Sequence, residues 1–114
     1  MTNSINERIY CSAIWYHKIT PHYPLGLRNP NNITKGVVVL GHRHADIIRN
    51  VGNLLGKRTV ENGKDSVGEY TQGFLTNKDR FVDRKEGAEI AWRENQILDK
   101  GRSNPNYLYS EDIY

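Results

Sequence analysis

Two histidines and an arginine stand within four residues, Gly41-His42-Arg43-His44, where an apolar run gives way to helix-spaced residues. Three chemistries use such a group. Zinc needs three or four ligands. Here His42 and His44 are two residues apart, the single Cys11 lies in the apolar run YCSAIWY, and His17 and His22 belong to a loop. No metal is therefore expected, and a histidine that caps the helix or hydrogen-bonds nearby backbone is the plainer reading. Catalysis fares no better. A histidine can act as acid or base near neutral pH, with Asp83 or Glu86 as a partner, but no spacing requires it. The chain has no G-x-S-x-G elbow, no H-E-x-x-H, and no histidine beside Cys11. The expectation is a protein that is not an enzyme and carries no cofactor.

An anion cradle is the third chemistry. A strand, a glycine and a helix start leave backbone N–H groups unpaired at the positive end of the helix dipole. Arg43 could add a bidentate contact to phosphate, and His42 or His44 a donor. Neither a G-x-x-x-x-G-K-[ST] loop nor G-x-G-x-x-G occurs, so a nucleoside-triphosphate loop and a dinucleotide fold are excluded. A polar helix start with Arg43 in solvent explains the same residues. Both readings stay open.

The segment QGFLTNKDRFVDRKE poses a similar choice. Phe74 and Phe81 flank a polar turn carrying Arg80, and Asp83 and Arg84 open the next helix. A ring, a guanidinium and a carboxylate together can stack a base, hold a phosphate and bind a ribose. Alternatively, both phenylalanines are core and Arg80 pairs with Asp79 or Asp83. Lys57 and Arg58 follow the first helix, where they can stabilise its last carbonyls.

The elements that must position these residues follow from periodicity. Ile9–Tyr16 reads as a strand, with Ile9, Cys11, Ala13 and Trp15 on one face and Tyr10, Ser12, Ile14 and Tyr16 on the other. Residues 17–35 hold all but one of the prolines and should form an irregular loop with a role in binding or assembly. Val37–Leu40 is apolar on both faces and predicts a central strand. Ile47, Ile48, Val51, Leu54 and Leu55 predict a helix over 44–55, stopped by Gly56. Residues 61–68 read as a turn or loop. A third strand over 69–76 turns through Asn77-Lys78-Asp79 into Arg80-Phe81-Val82, a hairpin. Asp83 and Glu86 form a capping box for a second helix reaching about Leu98. The apolar–acidic tail reads as an edge strand. The class is α+β: a small antiparallel sheet and two helices in a single domain of 114 residues.

Composition limits the partners. The net charge of +3 is scattered, so a polymeric nucleic acid is not expected, while small anions suit it. With no apolar leader in MTNSINER and no membrane-length apolar run, a cytosolic protein without a membrane partner is expected. Cys11 reads as a reduced, buried thiol. Only 37% of residues are hydrophobic, yet the chain has seven tyrosines and two tryptophans, which favours surface covered by another subunit.

The ordered set CSAIWY, GHRH, GKR, QGFLT, RFVDRKE and LYSEDIY resembles the phage anti-defence proteins that inhibit the bacterial Thoeris system. The resemblance spans nearly the whole chain, and GFLTNKDRFVDRKE is its most specific part. It implies a sponge in the host cytoplasm that sequesters cyclic ADP-ribose isomers without cleaving them. It also implies homo-oligomers, dimers built into hexamers, with some members holding cyclic trinucleotides at a separate site. Such a ligand needs cations, a π-face and polar acceptors. On this reading Arg43, Arg58, Arg80 and Arg84 supply charge, and Phe74 or Phe81 the ring. Asp83, Thr76 and Asn95 address sugar or base, His42 joins the cradle, and Arg8 or Arg102 serves the second site. A small enzyme or inhibitor acting on a nucleotide or host protein is the competing function.

Overall fold

The computed structural model describes residues 6–58 and 66–114. Four strands, β1 (Ile9–Tyr16), β2 (Val37–Gly41), β3 (Tyr70–Thr76) and β4 (Phe81–Asp83), form an antiparallel sheet in the order β2-β1-β3-β4. Helices α1 (His44–Leu55) and α2 (Arg84–Arg93) pack on it. The expected α+β class is the observed one.

The alternation along β1 holds with one interruption. Ser12, Ile14 and Tyr16 lie on the face that meets the helices, and Ala13 and Trp15 on the opposite face with Val38, Phe81 and Ile33. A register shift between Ile9 and Cys11 inserts a residue, so Ile9 turns to the helix side and joins Phe74, Val82 and Ala88. Ile9 therefore does not share a face with Cys11, as strict alternation would require, because a bulge reverses the parity.

β2 is an edge strand, not a central one. Its two-sided apolarity has another cause. Val39 packs against the α1 cluster on one face, and Val38 is covered on the other beside Ile33 of the 17–35 loop. That loop also covers part of the free edge. Asn29 accepts from the Val38 N–H at 3.1 Å and donates to the Gly36 carbonyl at 3.1 Å, an answer to the exposed donors of an edge strand. The β3–β4 hairpin forms as expected, with Asp79 in the left-handed region (φ 60°). Gly73 is required there: a Cβ would come within 2.1 Å of the Val82 carbonyl.

α1 ends at Gly56 in the left-handed conformation, φ 62°. Asp83 caps α2 by accepting from the Glu86 N–H at 2.8 Å. The reciprocal half of the expected capping box is missing, because the Glu86 carboxylate turns to Arg80 at 2.6 Å. α2 also stops short of Leu98. Asn95 adopts φ 58°, and Gln96 leaves the helix to bond both backbone groups of Ile9, at 2.8 and 3.0 Å. The tail is not an edge strand. It folds back across α2, burying Leu108 completely against the core that includes Phe74, and ends in a short turn over Ser110–Asp112. The turn expected over residues 61–68 lies largely outside the described residues. Within it, Ser66 bridges Arg58, and Val67 is buried with Ile47 and Val51.

Candidate functional site

The start of α1, the first turn of α2 and the tail meet at one cleft of about 350 Å³. Arg43, His44, Ala45 and Asp46 line one wall; Arg84, Tyr109, Ser110 and Glu111 line the other. The tail brings these walls together. Tyr114 fastens to β1, its hydroxyl accepting from the Ser12 N–H at 2.8 Å and lying 3.1 Å from the Ser12 hydroxyl. The Ser12 hydroxyl itself donates to the His42 carbonyl at 3.0 Å, so strand, helix start and tail share one network.

Arg43 is the residue just before α1, in extended conformation, and its side chain cannot cap the helix. Instead it donates to the Tyr114 main-chain oxygen and lies 5.9 Å from that residue's ring centre. His42 meets the same ring edge-on at 4.5 Å. His44 turns inward and is 5% exposed. Its Nε2 lies 2.7 Å from the Gly73 carbonyl, which can only accept, so Nε2 carries the proton and Nδ1 is a bare acceptor. That Nδ1 is buried with no hydrogen-bond partner. Burial pushes the His44 pKa below its ordinary value, with the bond to Gly73 opposing, so the ring is neutral at pH 7.

The guanidinium carbon of Arg84 lies over the Tyr109 ring, 4.6 Å from its centre. It donates from Nε to the Leu108 carbonyl at 3.1 Å and from Nη2 to Gln72 Oε1 at 3.0 Å. Burial lowers its pKa, while Tyr109 and Glu111 act in the other direction. Glu111 stands in the same cleft. Its carboxyl is held below the usual range, chiefly by its own backbone N–H, with burial opposing and the Ser110 hydroxyl and the Arg43 charge assisting.

Among the described residues neither Arg43 nor Arg84 pairs with an Asp or Glu. Arg84 is held by two neutral oxygens and the Tyr109 ring, and Arg43 by the main-chain oxygen and ring of Tyr114, the last residue of the sequence. Arg28, Arg49, Arg80, Arg93 and Arg102 each pair with a carboxylate. An anion meeting the cleft finds guanidinium charge that no Asp or Glu among the described residues holds in an ion pair.

The other residues expected at a site are placed elsewhere. Phe74 is fully buried between β1 and α2, and Phe81 is 6% exposed on the opposite sheet face beside Trp15. Thr76 is buried and donates to Glu7 at 2.7 Å. Arg80 grips Glu7 through Nε at 2.8 Å and Nη2 at 2.9 Å, and also holds Glu86. Asp83 caps α2, and Asn95 is exposed just past its end. Arg58 is exposed beside the Ser66 bridge. Arg8 is exposed near the hairpin turn, and Arg102 pairs with Asp99 at 3.7 Å. Thus His42, Arg43 and Arg84 gather at the tail, while Thr76, Arg80, Phe81 and Asp83 serve the hairpin and helix cap. Sequence reasoning missed Gln72, Tyr109, Ser110, Glu111 and Tyr114. The only available signal was a tail rich in tyrosine and acid opposite a basic helix start. Among the described residues no cluster of three or more His, Cys, Asp or Glu could hold a metal, and no helix is long and apolar enough to cross a membrane.

Fold and cleft together define a small α+β domain with a cleft at a helix start lined by two arginines, two carboxylates and a tyrosine ring. The family model described as phage T4 y16D protein matches residues 8–114, and the chain belongs to that phage family. No curated protein and no solved structure matches it.

Proposed function

We propose that this phage-family protein captures a small anionic nucleotide in the Arg43–Arg84 cleft and holds it without cleavage. The observation that carries the reading is the pair of guanidiniums without an Asp or Glu partner among the described residues, at the start of a helix that no side chain caps. Phosphate oxygens suit both features, and the Tyr109 ring adds an aromatic surface. The resemblance to Thoeris inhibitors supplies the ligand class: cyclic ADP-ribose isomers in the host cytoplasm, withheld from an immune effector. A sponge needs slow release rather than turnover, so no catalytic group is required of the cleft.

The same reading includes self-association. Tyr10 on β1 and Leu40 on β2 are 71% and 48% exposed, apolar area suited to a second copy. In such an assembly Arg8 and Arg102, both exposed, could present one charge per chain to a cyclic trinucleotide. The test is direct. The purified protein is incubated with a cyclic ADP-ribose isomer, freed of excess ligand, denatured by heat, and the released small molecule identified. Intact ligand in stoichiometric amount supports capture. A cleaved product identifies an enzyme, and no recovered ligand ends the reading.

A further inference from the structure

Two carboxylates, Asp46 and Glu111, line the cleft, where a simple anion site would have none; Asp46 pairs with Arg49 at 3.7 Å. Glu111 lines it between two arginines, yet forms an ion pair with neither. It is held in place: Ser110, itself 2% exposed, donates its hydroxyl to Glu111 Oε1 at 3.1 Å. The cleft thus offers donors on Arg43 and Arg84 and an acceptor on Glu111. A ligand that presents only phosphate satisfies the first pair and sets its charge against the carboxylate. A ligand with hydroxyls beside its phosphate satisfies both, because a hydroxyl donates to carboxylate oxygen.

We propose that Glu111 is the specificity-determining residue of this cleft, accepting hydrogen bonds from the ribose hydroxyls of a phosphorylated nucleoside and disfavouring ligands that present phosphate alone. The inference rests on the anion-capture reading of the same cleft and names what that reading leaves open, the neighbour the phosphate must have.

The test is a double comparison by titration calorimetry, with ADP-ribose and inorganic pyrophosphate as probes against the wild-type chain and Glu111→Gln. Glutamine retains the oxygen that Ser110 binds, and circular dichroism checks that the fold survives. The expected result is a wild-type preference for ADP-ribose that shrinks about tenfold in the variant, the size of one charge-assisted hydrogen bond. A charge acting only at a distance tightens both probes, the more highly charged pyrophosphate more, and a structural role weakens both alike. A hydrogen bond from ribose instead weakens ADP-ribose itself in the variant, so an ADP-ribose affinity that rises, or that falls in step with pyrophosphate, overturns the assignment of Glu111 while capture stands. Wild-type binding of pyrophosphate without ADP-ribose also overturns it. If neither probe binds, the assignment and the capture reading fall together.

Discussion

Two arginine-bearing regions of this molecule look alike in sequence and differ in what surrounds the charge. Arg80, in the hairpin, is gripped by Glu7 and Glu86. Arg43 and Arg84, at the tail, are held by a main-chain oxygen, a carbonyl, an amide oxygen and two tyrosine rings. The first arrangement consumes the positive charge to tie the chain before β1 to the β3–β4 turn and α2. The second fixes the guanidiniums without an Asp or Glu partner among the described residues, and on the proposed reading their charge serves another molecule. An arginine's role therefore depends less on its element than on whether its partners are charged.

The largest expected effect is on capture. Replacing both Arg43 and Arg84 by alanine should weaken nucleotide binding at least about 100-fold, since each lost charged hydrogen bond is worth roughly 1.5–3 kcal/mol. Equilibrium dialysis checks this, and unchanged capture would move the site elsewhere. Arg80→Ala should do the reverse. It leaves Glu7 and Glu86 without their partner and should lower unfolding free energy by about 2–3 kcal/mol, while capture persists. Urea melts measure it; lost capture with unchanged stability would erase the contrast.

The two regions should also separate by pH. The hydrogen bond from Arg80 holds the Glu7 carboxyl at about 2, against an ordinary 4.5. The unfolded chain therefore takes up that proton first on acidification. The contribution of Glu7 is full above about 4.5 and is lost as pH falls towards 2. Melting curves of wild type and Glu7→Gln should converge across that window, and parallel curves would contradict it. His44 acts at milder pH. Its pKa is lowered from 6.5, so its neutral burial stabilises the fold above that value and costs stability as pH falls below it. His44→Gln should flatten the melting temperature between pH 7 and 5.5. The smallest effect belongs to Arg102, whose side chain is 90% exposed beside Asp99. Its replacement by alanine should change stability by less than about 0.5 kcal/mol.

What the sequence disclosed was local. The α1 stop at Gly56, the Asp83 cap and the β3–β4 turn rest on residues a few positions apart, where side-chain chemistry and backbone preference decide the outcome. The edge position of β2 was hidden, because a covering loop makes an edge strand as apolar as a central one. The end of α2 was hidden too, since Gln96 is drawn out by the backbone of Ile9, 87 positions away in the chain. Half of the cleft was legible in Gly41-His42-Arg43-His44. The other half depends on a tail that folds over α2 through Leu108 and Tyr114, and no spacing announces that return. The same blindness grouped Arg80 with Arg84. They are four residues apart, yet one faces Glu7 and the other Gln72 and Tyr109.

The most direct test of this account follows the arginine side chains individually. Nuclear magnetic resonance of the Nε–H signals, recorded while a cyclic ADP-ribose isomer is titrated into the labelled protein, distinguishes Arg43, Arg84 and Arg80 in one experiment. The Arg43 and Arg84 signals should move and sharpen with ligand, and the Arg80 signal should stay where it is. Movement of Arg80 with Arg43 and Arg84 unchanged would contradict the account.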